Sequence, residues 1–145
     1  MQQEEIMHLL KLNNKIFRTT QVYLDKVLKK YELSSGSYPY LLMLKHQDGI
    51  NQNKISEKLG YDKAMTTRTV TKLIKLGYLE RNKDETDHRA NNIYLTEKAN
   101  VVIENILDEI HQLIQLMTKG MDDEEKINTV KSLQKLLTNM RELNI

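Results

Sequence analysis

The chain has 145 residues, a formal net charge of +2 and no cysteine. Its length fits one domain with a sizeable core, and the lack of cysteine excludes disulfides, thiolate metal sites and thiol-based redox sensing. There is no long apolar run, and the first ten residues carry acids where a secretory signal would be basic, so we expect a cytoplasmic protein. Because the net charge is small, a tendency to bind nucleic acid would have to show in the local placement of charges.

The N-terminal third of the sequence predicts two helices. Apolar residues recur at helical spacing over residues 6–31 without proline or glycine, which predicts a helix of about seven turns. The run "LSSGSYP" then breaks the pattern. A second helix follows, because Ser37 can cap its start and Pro39 falls in its first turn, where the missing N–H costs little. We expect this helix to end near Gln47.

The middle of the sequence predicts two shorter helices and a hairpin. The segment "NQNKISEKL" predicts a third helix that ends at Gly60. Asp62 can cap a fourth helix over residues 63–76, and Gly77 can end it. The strand-like runs "YLERNK" and "NNIYL" are joined by the charged segment "DETDHRA", so they predict a β-hairpin.

The C-terminal third of the sequence predicts two more helices. Thr96 starts a fifth helix whose apolar stripe extends to Met117, and the acids from Asp122 to Glu125 start a sixth, at the positive end of its dipole. With the first helix, which would reach about 40 Å at 1.5 Å per residue, these helices carry more apolar surface than the segment 33–97 could cover. Some of this surface can pack within the chain, but pairing with a second copy is the simpler solution.

The fourth helix has an uneven distribution of charge. Its apolar residues Val70, Leu73 and Ile74 fall with Gly77 on one arc of a helical wheel. We place the basic and hydroxylic residues on the opposite arc: Lys63, Thr67, Arg68, Thr71, Lys72 and Lys75. There is no acid over residues 63–79. A short helix, a tight turn and a helix with this surface are typical of a helix-turn-helix, whose second helix enters a major groove. The alternative is an ordinary solvated face.

The hairpin places an arginine at its tip. Asp87 and Arg89 are two residues apart, so on an extended segment they project to the same side, where the carboxylate can hold the guanidinium in a fixed direction. An arginine at the tip of a ribbon suits a narrow minor groove. The alternative is an exposed ion pair that adds well under about 1 kcal/mol. His88 lies between them, as a phosphate neighbour or a solvated group.

Residues 33–99 resemble the winged helix-turn-helix of the MarR family of bacterial transcription regulators. The likeness lies in "ISEKLGYDKAMTTRTVTKLIKLGYLER", and the wing then follows the pattern D-x-R-x-x-x-I-x-L-T through Asp87, Arg89, Ile93, Leu95 and Thr96. The flanking long helices resemble the dimerisation elements of the family. His88 stands where the family often has arginine, and Glu85 where it often has proline, so the charge and stiffness of the wing are lower than is typical.

The resemblance implies a mainly α fold in a single MarR-like domain over residues 1–145. A three-helix core with a β-hairpin wing would occupy residues 33–97, and the dimerisation helices would occupy 1–32 and 98–145. By this resemblance Arg89 enters a minor groove with support from Asp87, and the polar face of the fourth helix reads the major groove. A homodimer would set its two recognition helices about 34 Å apart on a palindromic operator. We therefore expect a sequence-specific DNA-binding transcriptional regulator, acting as a repressor.

The resemblance also suggests a ligand. Members of the family often bind small aromatic acids or phenols between the dimer helices and the DNA-binding lobe. Here Phe17, Tyr38 and Met43 are the candidate lining residues. The alternative is that all three belong to the core. A small aromatic effector is thus the one ligand expected, and its binding would release the DNA.

Three histidines are candidates for a metal site. His8, His46 and His111 lie on predicted helices that border one region, and zinc needs three or four converging ligands. Zinc-sensing relatives resemble one another in having paired histidines four residues apart on the fifth helix, whereas Gln115 follows His111 here. We therefore expect neither a metal nor another cofactor.

An enzymatic function is not expected from this sequence. It has no glycine-rich phosphate loop, no nucleophile elbow and no acid pair in an apolar setting. The alternative to a DNA-binding regulator is a winged helix used only for protein contacts. Such a module would require neither Arg89 at the wing tip nor an acid-free face on the fourth helix.

Overall fold

A computed structural model describes residues 3–83 and 91–145 of the chain. Within these ranges, helices and short strands follow one another in the order α1 (Gln3–Leu28), α2 (Tyr38–His46), β1 (Ile50–Asn51), α3 (Gln52–Leu59), α4 (Lys63–Lys75), β2 (Leu79–Lys83), β3 (Asn91–Leu95), α5 (Glu97–Met117) and α6 (Asp123–Arg141). A short 3-10 turn, Lys29–Tyr31, follows α1. The prediction of a mainly α fold with a β-hairpin is confirmed.

The strands form one antiparallel sheet in the order β1-β3-β2. Strands β2 and β3 are the predicted hairpin, paired from Leu79 opposite Leu95 to Lys83 opposite Asn91. Strand β1 was not predicted. It pairs with β3 through only two residues, which is too short a run to show the alternation by which a strand is recognised in a sequence.

Three of the predicted helix starts are confirmed by side-chain caps. Asp62, Thr96 and Asp122 stand before α4, α5 and α6, and each side-chain oxygen accepts a hydrogen bond from the backbone N–H three residues further on, at 2.6, 3.2 and 2.8 Å. These bonds satisfy N–H groups that have no partner within the helix. Ser37 is different: it holds the cap position of α2, but its hydroxyl makes no cap bond. It accepts instead from the backbone N–H of Ser34 at 2.9 Å, because the preceding turn folds back onto it.

Gly77 ends α4 as predicted. Its φ angle is +82°, in the left-handed region that glycine adopts without steric cost. The N–H groups of Gly77 and Tyr78 donate to the carbonyls of Ile74 and Leu73 at 3.0 and 2.9 Å, which satisfies the last turn of the helix. The chain therefore passes from α4 into β2 through one tight, hydrogen-bonded turn.

The chain divides into two compact units, Met1–Glu109 and Ile110–Ile145. In the first unit, side chains from α1 to the start of α5 form a core; its largest buried members are Tyr40, Leu28, Leu41, Leu44, Ile55, Leu73, Leu79, Ile93, Ile103 and Ile106. The hydroxyls of Tyr40 and Thr66 lie 3.2 Å apart within this core and share a hydrogen bond. The predicted boundaries of the DNA-binding lobe at residues 33 and 97 remain a prediction.

The second unit contains the end of α5 and all of α6. None of the residues of α6, which the structure describes in full, is buried. Its apolar side chains are each more than half exposed at Ile127, Val130, Leu133, Leu137 and Met140. This unit, taken by itself, therefore presents apolar surface to its surroundings.

Candidate nucleic-acid interface

Helix α4 has one buried face and one exposed face. Thr66, Val70 and Leu73 are fully buried. The six residues predicted to face DNA are all exposed: Lys63, Thr67, Arg68, Thr71, Lys72 and Lys75. The side chains expected to meet base edges and phosphates are therefore accessible along the length of this helix.

The helical wheel assigned Lys63 to the wrong arc. At 100° per residue, Lys63 lies within about 20° of Val70, so it belongs to the packed side of α4 by angle. It is exposed nevertheless, because it is the first residue of the helix and its side chain leans back beyond the end of the packed face. Lys63 thus marks the N-terminal end of the exposed face.

The hydroxyl of Thr67 belongs to a hydrogen-bonded chain across three elements. Thr67 Oγ1 donates to the backbone carbonyl of Lys63 at 2.9 Å and accepts from Gln52 Nε2 at 2.9 Å. Gln52 is the first residue of α3, and its Oε1 accepts from Arg81 Nη2 on β2 at 3.2 Å. Neither Gln52 nor Arg81 was predicted from the sequence, although Arg81 lies in "YLERNK", next to the recognised wing motif.

The start of α3 is fixed by two further side chains. The side-chain oxygen of Asn51 caps α3 by accepting from the N–H of Asn53 at 2.7 Å. Asp48 accepts from the N–H of Leu95 at 2.8 Å and so ties the turn before β1 to the end of β3. Because Gln52 directly follows this anchored segment, its backbone position is set by the sheet.

The C-terminal end of α4 is held by α5 and by the turn after α1. Lys98 Nζ donates to the carbonyl of Leu76 at 2.6 Å, and the same ammonium group lies 4.6 Å from the ring centre of Tyr78. A cation at this end also suits the negative pole of the helix dipole. The Tyr78 hydroxyl donates to the carbonyl of Tyr31 at 2.7 Å. Burial, and then the nearby Glu32 and Tyr31, raise the pKa of Tyr78 above its usual value.

The charges on α4 are not neutralised by the carboxylates that the structure describes. Over residues 3–83 and 91–145, the ion pairs join Lys30 to Glu109 and Lys45 to Glu104, each at 3.1 Å. The Glu109 carboxylate, chiefly through its hydrogen bond, raises the pKa of Lys30. Both carboxylates belong to α5, so the acids of the first unit that form ion pairs neutralise lysines outside α4. The exposed face of α4 keeps its positive charge for a partner.

The predicted wing tip lies outside the described residues. This applies to Asp87, His88 and Arg89 together. The structure does describe the two strands that lead into and out of this segment, paired in register up to Lys83 and Asn91. The roles of the three residues remain predictions.

The candidate ligand residues lie on two helices. Phe17 on α1 is 62% exposed, whereas Tyr38 and Met43 on α2 are half-buried. Burial, and then the neighbouring Tyr61, raise the pKa of Tyr38. Tyr38 and Met43 are five positions apart on α2, which turns their side chains about 140° apart. The ligand site therefore remains a prediction, and the spacing of these two residues does not favour a shared wall.

The described ranges contain neither a candidate metal site nor a helix that could span a membrane. Among residues 3–83 and 91–145, no group of three or more histidine, cysteine, aspartate or glutamate side chains could hold a metal ion. In the same ranges, no helix is long and apolar enough to cross a membrane. Of the three histidines considered as ligands, His111 shares a hydrogen bond with Gln115 at 3.2 Å.

A three-helix core, an antiparallel hairpin and an exposed, acid-free helix define a DNA-binding protein of the winged helix-turn-helix class. Residues 33–90 match the MarR family. The HTH-type transcriptional regulator BilQ of Clostridioides difficile is 32% identical over 113 residues, which are 78% of this chain and 76% of that protein. The chain belongs to the MarR family of transcriptional regulators, which are not enzymes.

Solved structures agree with this assignment. A MarR protein from Peptoclostridium difficile superposes with a TM-score of 0.89 and 31% sequence identity, over 93% of this chain and 88% of that chain. A mutant MarR from E. coli, solved in complex with operator DNA, superposes with a TM-score of 0.83 at 22% identity, over 92% of this chain and 96% of that chain. The second likeness shows the fold alone.

Proposed function

We propose that this regulator binds a palindromic operator as a homodimer and represses transcription. In each subunit α4 enters a major groove and the wing reaches the adjacent minor groove with Arg89. The observation that carries the proposal is the exposed face of α4, which holds Lys63, Arg68, Lys72 and Lys75 without a neutralising carboxylate among the described residues. Lysines would neutralise phosphates, while Arg68 can bridge O6 and N7 of guanine.

The homodimer is supported by the exposed apolar side chains of the terminal helices. On α1, large apolar side chains from Ile6 to Phe17 are exposed, and α6 has its own exposed stripe. Soluble proteins rarely leave contiguous apolar surface of this extent in water. A second copy of the same chain would cover both helices by symmetry, and its two-fold axis would give the operator its palindromic form. Because the proposed target is genomic DNA, we place the protein in the cytoplasm.

We also propose that a small aromatic effector releases the DNA. Phe17, Tyr38 and Met43 are the candidate contacts, and the support for them is the family resemblance together with their partial exposure. An effector can weaken DNA binding only if it prefers the protein conformation that fits the operator less well. Salicylate is a suitable first probe. A decrease in operator affinity when salicylate is added to wild type, with a smaller decrease or none in Tyr38→Ala, would support the site.

The test of DNA recognition is fluorescence anisotropy of the protein with labelled DNA from upstream of its own gene, against a scrambled duplex, at several salt concentrations. We expect tight binding to the first duplex alone, with log K falling linearly with log salt. Arg68→Ala should weaken binding to the operator by about 5- to 150-fold, in line with a lost bidentate base contact. Lys45→Ala, an exposed basic residue of α2 outside α4, the wing and the proposed dimer helices, is the control and should bind as the wild type does.

Arg89→Ala tests the wing in the same assay. It should weaken operator binding and reduce the salt slope by about 1, while the far-ultraviolet circular dichroism stays unchanged. If neither duplex binds above the non-specific level, a selection from random DNA would show whether the operator lies elsewhere. If that selection also recovers no sequence, the winged helix serves protein partners and the proposal is wrong.

A further inference from the structure

Gln52 joins the exposed face of α4 to the first strand of the wing. Its amide donates to Thr67 Oγ1 at 2.9 Å and accepts from Arg81 Nη2 at 3.2 Å. The partners themselves dictate this orientation of the amide. Because arginine has only donors, the amide oxygen must face Arg81. Because the Thr67 hydroxyl donates its one proton to the carbonyl of Lys63, the amide nitrogen must face Thr67.

These hydrogen bonds determine whether the Thr67 hydroxyl can donate to a base or accept from it. A hydroxyl has one proton and two lone pairs. The proton goes to the carbonyl of Lys63 and one lone pair goes to Gln52, so one lone pair of this exposed residue remains for a further partner. In the major groove, adenine N6 and cytosine N4 are donors, whereas the O6 and N7 of guanine and the O4 of thymine accept. Held in this way, the Thr67 hydroxyl can bond to an amino group and not to a keto group.

The same amide holds Arg81 beside α4. Arg81 is exposed, lies on β2 opposite Ile93, and uses one of its five N–H donors on Gln52. A guanidinium on the first strand of the wing, hydrogen-bonded to the start of α3, is well placed for a phosphate of the backbone that separates the major groove from the minor groove. Phosphate contacts of this kind set the register of a protein on the duplex without reading sequence.

We propose that Gln52 is a positioning residue for DNA recognition: it makes Thr67 an acceptor that selects an amino base, and it fixes Arg81 as a phosphate contact. The inference rests on the proposed function, since it assumes that α4 enters the major groove. It adds a residue of α3, one of β2 and a chemical preference at one base position. Loss of Gln52 would free the Thr67 hydroxyl to rotate and to donate.

The experiment compares wild type with Gln52→Ala on duplexes recovered from random DNA by the wild-type protein, with each base pair of one half-site inverted in turn. We expect Gln52→Ala to bind the recovered duplex about 3- to 10-fold less tightly, the range of one or two lost hydrogen bonds. At one position, where wild type prefers adenine or cytosine, this preference should shrink by a similar factor. Asn53→Ala, next to it on α3 and exposed, is the control and should retain the preference.

Two further variants separate positioning from general stability. Arg81→Ala should reduce the salt slope by about 1 without changing base preference. Because Gln52 and Arg81 act through one hydrogen bond, Arg81→Ala should weaken DNA binding less in the Gln52→Ala background than in wild type. Thr67→Val keeps the shape of the side chain and should lose the same base preference as Gln52→Ala. A purely structural role for Gln52 would lower the melting temperature and leave the preference at every position unchanged.

The outcomes separate the two proposals. If wild type selects no sequence from random DNA, both the proposed function and the role of Gln52 are wrong. If wild type binds specifically while Gln52→Ala and Thr67→Val keep its base preferences and its affinity, the role of Gln52 alone is overturned. Additive effects of Gln52→Ala and Arg81→Ala would reject the link between these two residues.

Discussion

The DNA-binding lobe and the terminal helices handle their apolar and polar groups differently. In the lobe, Ile55, Val70, Leu73 and Ile93 are fully buried, and no buried side-chain polar atom of the described residues lacks a hydrogen-bond partner. In α1, only Leu24 and Leu28 are buried over 26 residues. Helix α6, likewise amphipathic, has no buried residue over its described length.

This difference shows which parts of the chain are complete without a partner. The apolar residues of the lobe are packed in a core that also includes Leu28 of α1 and Ile106 of α5, so this core is complete within the first unit of one chain. Helices with large exposed apolar side chains leave that free energy for an interface. The chain thus combines a packed core around the DNA-binding lobe with exposed apolar surfaces suited to assembly, and each can be tested by its own substitutions.

The largest effect on folding should come from the core of the lobe. Ile55→Ala removes a fully buried side chain and leaves a cavity, so we expect the free energy of unfolding to fall by about 2–5 kcal/mol. Lys54→Ala, the exposed neighbour of Ile55 on α3, is the control and should change it by less than about 0.5 kcal/mol. Urea unfolding at one fixed protein concentration measures both. Equal effects of the two variants would remove the distinction between packed and exposed regions.

The next effect concerns assembly. Leu133→Glu places a carboxylate in the exposed apolar stripe of α6, where Leu133 is 54% exposed. If this stripe is covered by a second copy, burial of an unpaired charge should raise the dissociation constant of the homodimer by about 100-fold or more. Lys135→Glu lies about 160° away around the same helix and should not change it. Sedimentation velocity over a range of concentrations distinguishes the two, and an unchanged dimer in Leu133→Glu would show that α6 is not part of the interface.

Local signals in the sequence were sufficient for most of the fold. The helix starts at Asp62, Thr96 and Asp122 and the stop at Gly77 depend on short-range features, and each was predicted from residue type and position. The strand β1 was missed because two residues carry no periodicity. Ser37 was misread because its hydroxyl had a competing partner in the N–H of Ser34.

The candidate site was predicted less completely than the fold. The exposed face of α4 followed from helical periodicity, apart from the arc assigned to Lys63. The bond network of Gln52 could not be predicted, since Gln52 lies 15 residues before Thr67 and 29 before Arg81, and only the packed arrangement of α3, α4 and β2 brings them together. Contacts between distant elements carry no local pattern in one sequence, and this is where the structure adds most.

The smallest predicted effect concerns one hydrogen bond of the packed core, from the Tyr78 hydroxyl to the Tyr31 carbonyl. Tyr78→Phe removes the hydrogen bond to the Tyr31 carbonyl, so at pH 7 the free energy of unfolding should fall by about 1 kcal/mol. Burial raises the pKa of Tyr78 above its ordinary value of 10.0, which means that the folded state holds this proton more tightly than the unfolded state. The contribution is therefore fully present below about pH 10 and is lost as the pH rises through the folded pKa.

Urea unfolding at pH 7 and at about pH 11 should thus show a smaller difference in unfolding free energy between wild type and Tyr78→Phe at the higher pH. The control is Tyr23→Phe, whose hydroxyl makes no hydrogen bond within the described residues, and it should match wild type at pH 7. A difference that grows with pH would contradict the raised pKa, and no difference at pH 7 would mean that the end of α4 is not stabilised by this bond.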